Sequence, residues 1–414
     1  MINVERLVLD NGLRVVVHQD KSTPLAAVNT LYQVGAKDED PSRTGFAHLF
    51  EHLMFGGSKN IPSFDEPLQK VGGDNNAWTS NDMTNYYLTL PANNIETGFW
   101  LESDRMMELD FSENSLEVQR KVVIEEFKQR YLNQPYGDIP LLVRPMAYKV
   151  HPYQWSTIGK DITHIENATL EEVKTFFYHH YAPNNAILSV SGNVDPEKIF
   201  KLADKWFGNI PAREVTRRPI EMEPAQTEER VLHVDRDVPA DLLHMVFHIG
   251  ARTDADFYAT DLLSDVLSNG ASSRLYQSLI KNQKLFTDVN AYISGDLHPG
   301  LLTVTGRLSN NVTMEQGAAA IGKELEAVCQ SAVSDYELQK VKNKIESTLV
   351  YSEINFLNKA MNLAQFEMTG QAEEINLEPQ KYQQVTTEDL LNVARKTFRK
   401  ENCSTLYYHA KSLR

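Results

Sequence analysis

Two stretches with the same order of residue types, LYQVGAKD at residues 31–38 and VFHIGARTD at residues 246–254, decide our interpretation of the fold. Each is a β-like apolar run that ends at a glycine followed by an alanine and then a basic residue. An apolar helical segment ending near glycine follows each of them, HLFEHLMFGG at residues 48–57 and DLLSDVLSNGA at residues 261–271. This repeated order predicts that the two halves of the chain are copies of one another.

The segments around this repeat predict the α+β class. Residues 6–17 have the pattern of a β-hairpin with Asp10-Asn11-Gly12 as the turn, and the polar, proline-containing residues after Gly208 have the composition of a linker. We predict two homologous α/β-sandwich domains of about 200 residues each, with mainly antiparallel sheets and helices packed on one face. The predicted boundaries are 1–210 for the first domain, 211–228 for the linker and 229–414 for the second domain.

Composition restricts the possible partners and the compartment. The formal net charge of −15 disfavours binding to nucleic acid or to an anionic membrane. No apolar stretch approaches the roughly 20 residues that span a bilayer, and the first residues alternate like a strand instead of forming a signal peptide. The two cysteines, Cys329 and Cys403, lie far apart, which suits a reducing compartment. We expect a cytoplasmic protein without a nucleic-acid or membrane partner.

The segment His48-Leu49-Phe50-Glu51-His52 forms an H-x-x-E-H pattern on a predicted helix. Residues four apart lie on one helical face, so His48 and His52 can share a zinc ion. Glu51 then projects towards the same metal-bound water and can act as general base. The alternative is a surface helix whose two histidines only pair with Glu51.

A catalytic zinc site commonly has a carboxylate as its third protein ligand. Glu125 and Glu126 are adjacent on a strongly helical stretch, where neighbouring side chains point about 100° apart, so only one of them can face the ion. The apolar periodicity of this stretch does not decide between them.

Several longer motifs together resemble the peptidase family of pitrilysin, insulin-degrading enzyme and the mitochondrial processing peptidase. They are HLFEH, DNNAWTSNDMTNYY at residues 74–87, QRKVVIEEFKQR at residues 119–130 and NGASSRLYQSL at residues 269–279. The resemblance runs over essentially the whole chain. It implies one Zn²⁺ per chain, with Glu126 as the third ligand beside His48 and His52.

The same resemblance implies roles for residues around the ligands. Gln119 stands where the family commonly has a glutamate that steadies a ligand histidine, so its amide can accept from an imidazole N–H but brings no charge. Asn76 and Ala77 fall on the strand that pairs with an extended peptide substrate in the family.

The chain departs from its relatives at two positions of the second half. Single-chain active members carry an arginine and a tyrosine there, and this chain has Ile280 and Thr287. The resemblance therefore implies the zinc-bearing subunit of a heteromeric zinc metalloendopeptidase, whose second homologous subunit supplies the arginine and tyrosine. A homodimer in which Lys281 or Arg274 substitutes is one alternative, and a non-catalytic assembly or scaffold subunit of the same family is another.

Overall fold

The structure, a computed structural model, describes residues 1–411. The strands are β1 (Glu5–Val8), β2 (Arg14–Gln19), β3 (Leu25–Tyr32), β4 (Asp74–Thr79), β5 (Thr84–Pro91), β6 (Ala186–Gly192), β7 (Arg230–Arg236), β8 (Leu242–His248), β9 (Phe286–Ile293), β10 (Leu301–Leu308) and β11 (Cys403–Ala410). The α-helices are α1 (Phe46–Leu53), α2 (Asp65–Lys70), α3 (Ile95–Met107), α4 (Glu113–Phe127), α5 (Ile139–Ala147), α6 (Thr163–Glu166), α7 (Leu170–His180), α8 (Pro196–Phe207), α9 (Phe257–Ser268), α10 (Met314–Gln330), α11 (Asp335–Ser352), α12 (Phe356–Thr369), α13 (Glu378–Gln384) and α14 (Thr387–Thr397).

The chain forms two compact units that do not follow its two halves throughout. The first unit contains Met1–Arg130, Trp155–Ile220 and Leu349–Glu378. The second contains Tyr131–Gln154, Glu221–Thr348 and the chain from Pro379 onwards. Helix α5 of the first half therefore belongs to the second unit, and α12 of the second half belongs to the first. The predicted boundaries at 210 and 229 stay a prediction. The chain passes from the first unit to the second after Ile220, which lies inside the predicted linker.

The sheet of the first unit has the strand order β1-β2-β6-β3-β5-β4. Every neighbouring pair in it is antiparallel except β2 with β6. On one face α3 packs so closely that a Cβ atom at Gly98 would lie 2.8 Å from Leu88 Cδ1. On the other face Leu363 and Ala364 of α12 join a buried cluster with residues of β2, β3 and β6. Burial from both faces explains why every residue of β6 is buried.

The sheet of the second unit has the order β7-β11-β8-β10-β9, and β7 with β11 is its parallel pair. Val143 and Met146 of α5 pack on one face with Val246 and Leu406. On the other face α10 approaches closely, since a Cβ atom at Gly317 would lie 2.5 Å from Leu308 Cδ2.

The predicted fold class is confirmed, with two α/β units built on mainly antiparallel sheets. The structure differs from the expected packing in one respect, because each sheet carries helices on both of its faces. The added layer comes from α5 and α12, which each unit receives from the other half of the sequence. None of the helices within residues 1–411 is long and apolar enough to cross a bilayer.

Candidate metal centre

Helix α1 holds the H-x-x-E-H pattern in a fixed position. It begins after Gly45, whose φ of +93° favours glycine, and a Cβ atom there would lie 2.7 Å from the carbonyl oxygen of Ile158. The Glu39 carboxylate accepts hydrogen bonds from the backbone N–H groups of Gly45 and Ala47, at 2.9 and 2.8 Å. These bonds satisfy donors that a helix leaves open at its first turn. The aromatic ring of Phe50 stacks on Tyr181 and anchors the buried side of the helix.

Two histidines of α1 converge with a glutamate of α4. The Glu126 Oε2 atom lies 3.5 Å from His48 Nε2 and 3.4 Å from His52 Nε2. Within residues 1–411 these three form the one group of three or more His, Cys, Asp or Glu side chains whose ligand atoms all lie within 4.8 Å of one another. The structure therefore brings together the three residues that the sequence analysis assigned to zinc.

These separations fit a zinc ion. Ligands about 2.0–2.1 Å from zinc at tetrahedral angles lie about 3.3–3.4 Å apart, close to the observed nitrogen–oxygen distances. Burial, followed by the nearby His52, lowers the pKa of His48 to about 4, so this imidazole is neutral at pH 7. The hydrogen bond from His52 is the main cause that lowers the pKa of Glu126. Neutral imidazole and carboxylate are the forms that bind a metal ion.

Helix α4 decides which of the two adjacent glutamates faces the histidines. Glu125 points to solvent, where it pairs with Lys128 at 2.7 Å and its side chain is 61% exposed. The other oxygen of Glu126, Oε1, lies 3.0 Å from Arg130 Nη1. Arg120 fixes the helix by donating to the carbonyl oxygens of Ile165 and Ala168 at 3.2 and 2.6 Å.

The expected general base is held by a hydroxyl group of β4. Thr79 Oγ1 donates a hydrogen bond of 2.6 Å to Glu51 Oε2. Burial raises the pKa of Glu51, and the bond from Thr79 opposes that rise. The sequence analysis missed both Thr79 and Arg130. Thr79 lies inside the motif at residues 74–87, but which hydroxyl meets Glu51 depends on how β4 lies beside α1.

Strand β4 is an edge of its sheet and pairs with β5 alone. Asn76, which is exposed, accepts a 2.8 Å hydrogen bond from the backbone N–H of Ala77 through its Oδ1 atom. An edge strand of this kind can pair with an extended peptide. The substrate contacts of Asn76 and Ala77 stay a prediction.

Gln119 lies two turns before Glu126 on α4. The Nδ1 atom of His48 is buried and has no hydrogen-bond partner among residues 1–411. Gln119 therefore does not hold that atom, and its role in steadying a ligand histidine stays a prediction.

The corresponding helix of the second unit, α9, carries Asp261, Ser264 and Asp265 where α1 carries His48, Glu51 and His52. Asp261 accepts a 2.6 Å hydrogen bond from the Tyr382 hydroxyl, and Asp265 accepts one of 2.6 Å from Asn269. The Ser264 hydroxyl donates to the backbone of its own helix. The two aspartates at the positions of the α1 histidines are thus engaged in hydrogen bonds within the second unit.

Comparisons with known proteins relate both halves of the chain to one peptidase family. Residues 14–158 match the family model described as insulinase (peptidase family M16), and residues 167–345 match the model described as the peptidase M16 inactive domain. The chain is 28% identical over 409 residues to zinc protease PqqE of Helicobacter pylori, covering 97% of this chain and 92% of that protein. It is 24% identical over 351 residues to the uncharacterized zinc protease YmxG of Bacillus subtilis, covering 84% of each.

Among solved structures, a protease from Helicobacter pylori superposes with a TM-score of 0.94. That structure is 28% identical in sequence, and the match covers 99% of this chain and 100% of the other. The two family models, the cluster of His48, His52 and Glu126 and the fold lead to the same conclusion: the chain belongs to peptidase family M16.

Proposed function

We propose that this protein is a zinc metalloendopeptidase and the catalytic subunit of a heteromeric enzyme. The observation that carries the proposal is the convergence of His48, His52 and Glu126. Beside them on the same helix, directly before His52, is Glu51, whose carboxylate is held by Thr79 of β4. A scaffold subunit needs neither the ligand set nor a base fixed beside it.

The three ligands would hold one Zn²⁺, which when bound supplies a Lewis acid for hydrolysis of a peptide bond. Glu51 takes a proton from the attacking water and passes it to the leaving amine. Its raised pKa brings its proton affinity closer to what a proton shuttle near neutral pH requires. Thr79 holds the carboxylate in one orientation, so that the base does not have to be ordered for each turnover.

The substrate is an extended peptide that adds to the free edge of β4. Hydrogen bonds to the peptide main chain suit substrates of many sequences, because they do not depend on side chains. In the free enzyme the side chain of Asn76 covers the Ala77 N–H, so a bound peptide has to displace this side chain.

The requirement for a second subunit rests on the positions that lack arginine and tyrosine. Ile280 cannot donate a hydrogen bond, and the Thr287 hydroxyl interacts with Asp288 and with the Arg307 carbonyl oxygen. Arg274, which could have substituted, is held by both carboxylate oxygens of Glu337 at 2.7 and 3.0 Å. A missing donor to the developing oxyanion is worth about 3–4 kcal/mol in comparable enzymes, so a homologous partner that supplies one is favoured over a homodimer.

Location in the cytoplasm is part of the proposal. Cys329 and Cys403 are both free thiols, as expected in a reducing compartment.

Metal content tests the ligand set, with the neighbouring glutamate as a matched control. We expect one zinc per chain in the wild type and in Glu125→Gln, and at least a ~10-fold loss of affinity in Glu126→Gln. Inductively coupled plasma analysis and competition with a chromophoric chelator give both values. Equal zinc binding by the two variants would exclude Glu126 as a ligand.

Hydrolysis of a library of quenched peptides tests the reaction. The zinc-loaded chain is measured alone and with Glu51→Gln as the control, which should keep its zinc and lose hydrolysis. Activity that survives in Glu51→Gln would contradict the assignment of the base. Strong activity of the wild-type chain alone would contradict the need for a partner, whereas silence of the folded, zinc-loaded chain supports that need.

A further inference from the structure

A pair of histidines lies on edge strand β7 and its neighbour β11 in the second sheet, and the peptidase reaction does not use it. Edge strand β7 runs parallel to β11, with His233 opposite Tyr407 and Asp235 opposite His409 in the register. Residues two apart on a strand lie on the same face, so His233 and His409 project from one side of the sheet. His233 is exposed and His409 is half-buried.

The two imidazoles are close enough to share one ion. The Nδ1 atom of His233 lies 3.0 Å from the Nε2 atom of His409. Two nitrogen ligands about 2.0–2.1 Å from one metal ion lie about 2.9–3.4 Å apart. The rings are 5.3 Å apart between centroids and only 9° from parallel, and Tyr407 stacks on His233 at 4.5 Å. This stacking restricts the orientation of His233 before any ion binds.

Carboxylates lie near the pair on two elements. Asp235 is the register partner of His409 on the same face. Glu315 lies in the first turn of α10. Together with His409 and Asp241 it lines an open cavity of about 590 Å³. The pKa of Glu315 is lowered, first by a backbone N–H and the Thr313 hydroxyl at the start of the helix, with His409 and His233 contributing.

We propose that His233 and His409 bind a divalent transition-metal ion, with the Glu315 carboxylate near enough to favour the cation by its charge but not converging with the two imidazoles as a third ligand. Imidazole nitrogen is a ligand suited to zinc, nickel, cobalt or copper(II) ions. The site lies in the second unit and shares no residue with the metal centre of the first. It therefore adds a second ion to the one per chain expected from the sequence.

Binding requires a change of tautomer in one imidazole. Without metal, the 3.0 Å contact is an N–H···N hydrogen bond in which one imidazole donates and the other accepts. Both nitrogens must present lone pairs to an ion, so the donor imidazole has to carry its proton on its other ring nitrogen. The bound ion connects β7 to β11 through side chains, and by mass action it stabilises the second unit against unfolding.

Zinc titration against a chromophoric chelator tests the proposal on the full-length chain. We expect two binding steps in the wild type, of which the stronger belongs to the His48, His52 and Glu126 site. The weaker step should lose affinity at least ~10-fold in His233→Gln and in His409→Gln, and less in Glu315→Gln. The stronger step, unchanged in all three variants, shows that each of them is folded.

His179→Gln is the matched control, because His179 is exposed and lies outside both sites. Its two steps should equal those of the wild type. A single binding step in the wild type that neither His233→Gln nor His409→Gln weakens overturns the proposal, and so does a second step that survives in both of these variants. An unaltered weak step in Glu315→Gln removes the carboxylate from the site. A single wild-type step that His233→Gln and His409→Gln do weaken would contradict the proposed peptidase centre and would still support the histidine pair as a metal site.

Discussion

At the scale of single residues, spacing on a helix predicted that the two histidines of the candidate metal centre face the same way, but it did not predict the groups that support them. The four-residue separation of His48 and His52 follows from helix geometry, and the structure places both Nε2 atoms beside Glu126. The choice of Glu126 over Glu125 came from the family resemblance, since the periodicity of α4 left it open. Thr79 was missed because its contact with Glu51 joins a strand to a helix 28 residues away in the sequence.

Removing the Thr79 hydroxyl tests its role in positioning the base. We expect Thr79→Val to lower kcat about 10-fold, because a hydrogen bond to a charged group contributes about 1.5–3 kcal/mol and the Glu51 carboxylate loses its fixed orientation. Thr79→Ser keeps the hydroxyl and should recover most of the activity. Steady-state kinetics with a peptide substrate give kcat and KM separately.

Zinc content is the control for this pair, and it should be the same in both Thr79 variants and in the wild type. A valine variant with full kcat would show that Glu51 needs no support from β4. A serine variant as slow as the valine variant would point to packing of the threonine methyl group instead.

At the scale of elements, sequence patterns predicted that helices are present more accurately than they predicted where the helices end. The stretch from Glu96 to Val123 has helical periodicity throughout, but the structure divides it into α3 and α4, with the second helix starting after Ser112. The Ser112 hydroxyl accepts from the Ser115 N–H and caps α4. This break sets the direction of α4 and so brings Glu126 to the histidines. Periodicity alone does not detect it, because the apolar positions continue across the boundary.

The first turn of helix α11 contains a carboxylate, Glu337, whose hydrogen bonds should make the stability of the protein depend on pH. Glu337 accepts from the Ser334 N–H at 3.1 Å and from Arg274, and these hydrogen bonds lower its pKa from 4.5 to about 2, Arg274 being the largest cause. Since the folded pKa is depressed, the stabilisation is present above pH 4.5 and is lost as the pH falls towards 2. We expect Glu337→Gln to reduce the free energy of unfolding at pH 7 by about 1 kcal/mol, a modest value because the carboxylate is partly exposed.

Urea unfolding at pH 7 and at pH 3 measures this difference between wild type and variant. The gap should narrow at the lower pH, because wild-type Glu337 approaches protonation there. Glu346→Gln, at an exposed position of the same helix, is the control and should change stability little at either pH. A gap that stays constant with pH would mean that the charge of Glu337 does not stabilise the helix.

At the scale of the whole molecule, the repeat in the sequence predicted two α/β units, but it did not show that they exchange segments. Helix α12 lies more than 150 residues after β6 in the sequence, yet its Leu363 and Ala364 pack against the first sheet with Val16, Leu31 and Ile187. Patterns within a window of residues carry no information about such distant partners. The near-continuous apolar run AILSV at residues 186–190 was the available signal, since a strand covered on one face only would alternate in polarity.

This exchange predicts how the chain responds to being cut. A fragment of residues 1–220 contains all six strands of the first sheet but lacks α12, which leaves the apolar face of Val16, Leu31 and Ile187 uncovered. An exposed patch of this kind promotes aggregation, and the loss of buried leucine contacts costs about 2–5 kcal/mol per side chain. We expect the fragment alone to unfold without cooperativity or to precipitate, as measured by circular dichroism and size-exclusion chromatography.

Supplying the missing helix should reverse that outcome. Residues 1–220 joined by a Gly/Ser linker to residues 349–378 contain every segment of the first unit, so we expect soluble protein, cooperative unfolding and zinc bound to His48, His52 and Glu126. The same fusion with Leu363→Asp places a charge in the cluster that α12 forms with the sheet, and it should behave like the fragment without the helix. Cooperative unfolding of residues 1–220 alone would show that the first half folds without α12. The exchanged helix would then be a covering layer and no part of the folding unit.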